Sequence, residues 1–538
     1  MQPRRGPMPN GATVNLDITH CGEDLFRGLL ERPWGEISPS VYETARLVSI
    51  APWLQGHDNR RSFLLDWLLR GGANQVPHGY DLVPALSATE AMLACLLRSE
   101  TLAERAAEAV TVGLSHLASR LNASSDEESL PDTPGIEVII PALVGRINAS
   151  LDRLEEVRTA LGTGNRLPRL QLPRGMTDGY LSKLVPLLVS GHAVPTKVLH
   201  TLEVVAPLPD GLNITATPPG TVGASPAATA AWLSRMAPVD RDSSAMRFLD
   251  DISCQHGGLV PSVVPISMFE RAWVCSSLLE IGITPPGDIV DSLRRSLGPY
   301  GTPGGAGLPP DADTTSVVLL VLDRMGLRPS LDCLMEYNAG DHFHTWPDER
   351  TPSVSTNAHV LEALSHRLAC DSWQQRRYGA ARERTVQWLC GQQHQDGWWI
   401  DKWHASPMYA TAASVAALAR WSGLAVANAK VAVERAVHWA LESQRPDGSW
   451  GWWAGTQEET AYGLHLLLDA YRHGIEDRRI AEAVRRGRAR LLESHPEEEC
   501  APLWHDKDLY RPGAVVRATI LAALARTASG VPDEVLDA

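Results

Sequence analysis

The chain has 538 residues, 44% of them hydrophobic and 21% charged, with a net charge of −14. This composition suits a soluble globular protein of two or three domains and excludes nucleic-acid backbone binding as a main activity. Eight scattered cysteines without a CxxC pair point to reduced thiols, and no apolar run reaches the ~20 residues of a bilayer span.

The N-terminal stretch MQPRRGPMPNGATVNLDITH has no hydrophobic signal core. A cytoplasmic protein without integral membrane association is expected. From there on, nearly every apolar segment has helical spacing: LLDWLLRG (64–71), ATEAMLACLLRSE (88–100), TAASVAALARWSGLA (411–425) and VVRATILAALART (515–527). Gly/Pro clusters at 206–226, 257–265, 284–287 and 299–310 punctuate them. The expected fold class is all-α.

The loose-looking loop GTPGGAGLPP (301–310) runs into DADTTSVVLLVLDRMG (311–326). Two prolines precede Asp311, which predicts an N-cap there and a helix from Ala312 to Arg324, stopping before Gly326. Capping alone would explain Asp311, and the helix dipole would welcome Asp313. Two carboxyls in one first turn also repel, so a desolvated pair tends to retain a proton. Such an acid beside an apolar cavity can protonate an alkene.

Farther along, VQWLCGQQHQDGWW (386–399) repeats as VHWALESQRPDGSW (437–450) at an offset of 51 residues, with FLDDISCQHGG (248–258) as a weaker echo. A unit of this length fits a pair of helices that must stack on its neighbours. These Gln…Gly…Trp segments are read first as structural rivets, each indole packing over a helix end.

DADTT resembles the DxDD acid motif of the class II terpene cyclases, the family of squalene–hopene cyclase and the copalyl diphosphate synthases. The repeats resemble that family's QW motifs. EISPSVYETA (36–45), PGIEVIIPAL (134–143), GGLVPSVVPISMFERAWV (257–274), SVSTNAHVLEAL (353–364), DKWHASPMYATA (401–412), EETAYGL (458–464) and LWHDKDLY (503–510) resemble further segments of these enzymes, in order along the chain. The resemblance implies two α/α double barrels, called β and γ. A helix in 1–35 would join a β domain of 251–538, and 36–250 would form the inserted γ domain, with the cavity between them.

By the same resemblance Asp313 is the proton donor and Asp311 its support. Thr314 stands where the motif ends in aspartate, a departure similar to the DxDTT variant of drimane-forming cyclases. It tilts the expected substrate to farnesyl diphosphate and the product to drimenyl diphosphate; geranylgeranyl diphosphate going to a copalyl-type product is the alternative. His359 aligns with the residue that bonds the catalytic aspartate, and Asn357 lies nearby. Lys507 and Lys402, two of only five lysines, are the expected diphosphate ligands. Glu127 and Glu128, in the acidic run 124–132, are the expected route to Mg2+. Trp346, Trp403, Tyr409, Trp453 and Trp504 are the candidates for stabilising cations, because an aromatic face attracts positive charge without trapping it. Asp250-Asp251 continues as Ile-Ser-Cys, not as the metal cluster that ionises a diphosphate, so the product should keep its diphosphate.

Two other readings share the expected fold. Zinc-dependent protein prenyltransferase subunits would need an Asp/Cys/His site, and a non-catalytic toroid that binds proteins would leave DADTT without a task.

Overall fold

In the computed structural model, the described residues are 17–529, apart from 73–75, 78, 101–102, 124–129, 161–167, 191–193, 195, 211, 237–238, 348, 370–371, 422–426 and 495–500. Helices dominate, and the named strands pair as two short antiparallel hairpins, Thr302–Pro303 with Pro310–Asp311 and Trp504–His505 with Leu509–Tyr510.

Six helices form a closed inner ring: Ser267–Leu279, Ala312–Arg324, Val354–Leu368, Pro407–Trp421, Gln457–Arg472 and Gly513–Ser529. Each packs on the next and the last returns to the first. Ser372–Gly391, Ala427–Ser443 and Arg479–Glu493 lie outside that ring, each against inner helices. The N-terminal helix Ile18–Glu31 packs on Ser267–Leu279 and Gly513–Ser529, and buries Leu25, Phe26 and Leu29 in the same core. By packing it belongs with the later barrel.

A second core belongs to Val41–Ile50, Leu82–Leu97, Ile136–Ala160 and Pro226–Ser234, with His57–Leu69 and Ala103–Ala123 outside. The helix Pro226–Ser234 serves both cores: Ala228 faces the second and Ala227, Ala230 and Leu233 the first. Ser244–Gln255 buries Met246, Phe248, Leu249 and Ile252 with the first core. By packing, the division therefore falls within Pro226–Ser234 rather than at residue 250.

The repeats show why their residues recur. Trp399 Nε1 donates to Leu389 O at 2.7 Å, and Trp450 Nε1 to Ala440 O at 2.7 Å. The amide of Gln393 donates to Gly397 O and Ala432 O, and that of Gln444 to Gly448 O and Ala483 O. Each glutamine thus ties its own turn to the following outer helix, and each indole is fully buried beneath it. Gly397 and Gly448 have positive φ, and a Cβ there would meet the carbonyl oxygen of Arg435 or Arg486 within 2.6 Å. Only glycine fits both the conformation and the approach.

We expect Trp450→Ala to cost about 3–5 kcal/mol of stability, since a large buried aromatic and its hydrogen bond are lost together. Trp453→Ala, at a side chain 37% exposed, should be close to neutral. Denaturant or thermal unfolding of the two variants against the parent checks this.

Candidate active site

The loop 301–310 is not loose. Thr302 pairs with Asp311 across its hairpin and its amide donates to Thr315 Oγ1 at 2.8 Å. Gly304 O accepts from the amides of Met268 and Phe269, and a Cβ on Gly305 would overlap Pro265 O at 1.8 Å. The glycines are there because backbone meets backbone, and the tight hairpin fixes the start of the next helix.

That helix runs Ala312–Arg324, with Asp311 as its N-cap accepting from the Thr314 amide at 2.6 Å, as the sequence predicts. The Thr314 hydroxyl and the Gly304 amide also bond Asp311. Burial first, and the Asp313 carboxyl second, push the Asp311 carboxyl up to about 8 despite those donors. Asp311 therefore holds a proton at neutral pH.

Asp313, one helical step on, lies 2.6 Å from His359 Nδ1 on the adjacent helix Val354–Leu368. Burial disfavours the charged imidazole, but the Asp313 carboxylate and this hydrogen bond outweigh it and raise the pKa of His359. Two carboxyls and one imidazole thus share charge at the buried end of a cavity of about 420 Å³. This cavity lies between the barrels: Thr133, Leu184, Val198 and His200 line it from the inserted domain, and Phe269, Asp311, Asp313 and Trp504 from the other.

The remaining candidate residues separate by location. Tyr409 and Trp504, 4.9 Å apart between ring centres, form an aromatic wall near the acid. Trp504 Nε1 donates to Glu458 at 2.7 Å. Trp346 and Trp403 meet edge to face at 5.0 Å and line the cavity, and both indole N–H groups are buried without a hydrogen-bond partner. Lys402 lies over the Trp403 ring at 5.0 Å, is paired with Glu349, and lines the cavity beside Arg350. Arg350 and Asp132 form an ion pair whose side chains are 49% and 28% exposed, which marks the open end.

Three expectations are corrected. Lys507 is fully buried and bonded to Glu43, to Glu203 at 3.0 Å and to Ser225 at 2.9 Å, so it fastens the two barrels together and has no donor left for a diphosphate. Asn357 bonds the backbone of Phe343 and Ser353 and does not reach the acid. Trp453 lies outside the cavity, half-buried against Tyr80. Glu127 and Glu128 lie outside the described residues.

Two features had no sequence signal of their own. Trp273 meets the His359 ring edge to face at 5.3 Å, with Phe269 4.5 Å beyond it, so the acid's own support is walled by aromatics. Below His359, a chamber of about 150 Å³ along the barrel axis is lined by Glu362, Arg420, Asp469 and Arg526, among others. Among the described residues, the one His/Cys/Asp/Glu set spaced for a metal is His57, Cys95 and Glu100, away from the cavity. Arg61 and Arg98 already bond Glu100, which disfavours a cation there.

Nearly the whole chain resembles known proteins. The chain is 42% identical over 512 residues to ent-copalyl diphosphate synthase of Streptomyces sp. (strain KO-3988), covering 94% of this chain and 96% of the relative. The chain belongs to the class II terpene cyclases. It is also 37% identical to labda-7,13-dienyl diphosphate synthase of Streptomyces clavuligerus, over 93% of this chain and 91% of that one. The solved ent-copalyl diphosphate synthase of Streptomyces platensis superposes with a TM-score of 0.85 at 40% identity, covering 95% of this chain and all of the other. The squalene–hopene cyclase C-terminal domain matches residues 345–464. No helix among the described residues of this cyclase is long and apolar enough to cross a membrane.

The perturbed acid makes a stability prediction. Folded Asp311 binds its proton more tightly than an unfolded aspartate, about 8 against the ordinary 3.8. Its contribution is fully present below about pH 4 and is lost as pH rises through about 8. Asp311→Asn keeps a good N-cap and removes the titration. Melting curves should therefore show the parent losing stability relative to Asp311→Asn across that window.

Proposed function

We propose that this cyclase converts geranylgeranyl diphosphate to a bicyclic, copalyl-type diphosphate. The observation that carries the reading is the likeness, over more than nine-tenths of the chain, to relatives named for copalyl-type products. Copalyl diphosphate has twenty carbons, which requires the longer linear precursor. The inclination to farnesyl diphosphate rested on Thr314, and both its amide and its hydroxyl are engaged with Asp311. That residue tunes the acid and does not measure the length of the cavity.

The reaction follows from the charge arrangement. His359 donates from Nδ1 to Asp313 Oδ1, which leaves Oδ2 to carry the proton that is transferred. Asp313 protonates the terminal alkene, and two ring closures follow in a chain held folded between Phe269, Trp504 and the apolar wall. The aromatic faces stabilise the passing tertiary cations. Loss of a proton ends the reaction with the carbon–oxygen bond to diphosphate intact.

Lys402 and Arg350, with the indole donors of Trp346 and Trp403, suit the diphosphate at the open end. Mg2+ fits that end as well. Glu137 lines the cavity and would hold the ion, with Asp132, the last residue of the acidic run, joining it once Arg350 exchanges that carboxylate for the diphosphate; the ion would supply positive charge against the diphosphate.

Purified protein should turn over geranylgeranyl diphosphate with magnesium, giving one bicyclic alcohol by mass spectrometry after dephosphorylation. Asp313→Asn should lower that turnover by at least ~10³-fold with the fold intact. Turnover of farnesyl diphosphate alone would overturn the substrate, and a near-native Asp313→Asn would overturn the acid.

A further inference from the structure

Protonation starts the cyclisation, and a base must end it. The last tertiary cation forms in the second ring, on the carbon beside the one that carries the diphosphate arm. Its proton acceptor must therefore lie between the acid and the diphosphate end, accept a proton at neutral pH, and hold an unused lone pair in a dry part of the cavity.

Most polar groups lining the cavity fail one of these conditions. His200 is buried, with Nδ1 donating to Gly223 O at 2.6 Å and Nε2 bonded to Asp506 at 2.9 Å. Burial disfavours its charge, but Asp506 outweighs this and raises its pKa; both ring nitrogens face acceptors, so neither offers a free lone pair to the cavity. Asp506 is occupied by His200 and Ser262. Glu349 is paired with Lys402, and Asp132 with Arg350.

His505 meets all three. Its ring lines the cavity and the residue is 6% exposed. Nδ1 is bonded to the backbone carbonyl of Lys402, and because a carbonyl only accepts, Nδ1 carries the proton. Nε2 of the neutral ring then bears a lone pair, and it is buried without a hydrogen-bond partner. Burial first, and His404 as a further repelling group, bring the pKa of His505 down to about 4, so the ring is neutral at physiological pH.

Position agrees. The hairpin Trp504–His505/Leu509–Tyr510 places Trp504 against Tyr409 on the acid side. The His505 amide donates to Trp403 O at 2.9 Å, which fastens it to the segment carrying Lys402 and Trp403 on the diphosphate side. The Tyr80 ring, 4.7 Å away, holds the imidazole plane from the inserted domain.

We propose that His505 Nε2 is the terminal base of the cyclisation, taking the proton from the carbon next to the final tertiary cation. The carbon–hydrogen bond breaks, its electron pair becomes the new double bond, and the proton is left on Nε2. The imidazolium passes this proton to solvent before the next turnover, as Asp313 regains one, so the reaction is a net isomerisation. Where Nε2 points relative to the ring decides which neighbouring carbon loses its hydrogen, and so where the alkene falls. This inference rests on the cyclase reading above.

The test compares products from wild type, His505→Phe and His505→Gln. Phenylalanine keeps the ring packing on Tyr80 without a lone pair, and glutamine keeps a donor for the Lys402 carbonyl if the first variant fails to fold. Each is incubated with geranylgeranyl diphosphate and magnesium, and the dephosphorylated products are resolved by gas chromatography–mass spectrometry. Substrate should still be protonated and cyclised, while formation of the wild-type alkene falls roughly 10²-fold. Alcohol from water capture and alkene isomers should take its place. A folded variant that makes the wild-type alkene alone, at a rate within about twofold of wild type, overturns the role of His505. The wild-type arm reports separately on the substrate: if only farnesyl diphosphate is consumed, that reading fails, and the same three-way comparison is made on the farnesyl-derived bicycle.

Discussion

Keeping a carboxylic acid charged with its proton inside an apolar cavity is the constraint on which the rest of this molecule depends. A helix N-terminus favours the anion, and three donors on Asp311 favour it further. Desolvation and the second carboxyl oppose them and prevail, and both require rigid, water-excluding surroundings. The hairpin built on Gly304 and Gly305, the Ala312 amide bonded to Thr345 O, and the wall of Phe269, Trp273, Tyr409 and Trp504 supply that exclusion. The two barrels are the means by which a dry cavity of this size is enclosed.

The helix bearing the acid was legible because its signals are local. Two prolines, a capping aspartate and a terminal glycine bracket thirteen residues, and the structure keeps those limits. The QW repeats were legible for a similar reason, since Gln, Gly and Trp recur at fixed offsets and each does the same packing task in both copies. His359 was found through the resemblance. A 2.6 Å bond to a residue 46 positions away then gave it its partner.

Misreadings came where chemistry depends on partners distant in sequence. A scarce lysine in a matched segment looked like a phosphate ligand, yet the carboxylates that claim Lys507 lie 464 and 304 residues away. Asn357 turns to the loop around Phe343, a choice no periodicity reveals. Trp453 shares its segment with Trp450 but falls just beyond the buried turn. Thr314 was read as a reporter of substrate length, whereas its short hydroxyl serves the neighbouring carboxyl. The polar chamber along the barrel axis was invisible because its members come from several separate helices.

The buried cluster of Lys507, Glu43 and Glu203 carries a mechanical meaning. Hinged enzymes open by sliding or parting domains across a wet, weakly held seam. Here the seam contains fully buried ion pairs, and parting them gives up their mutual hydrogen bonds together with the packing around them. The two barrels are therefore held against parting at this seam. Substrate entry and product escape fall to the half-exposed side chains at the Arg350–Asp132 rim. Traffic through this enzyme is then set at a doorway, in walls that resist parting.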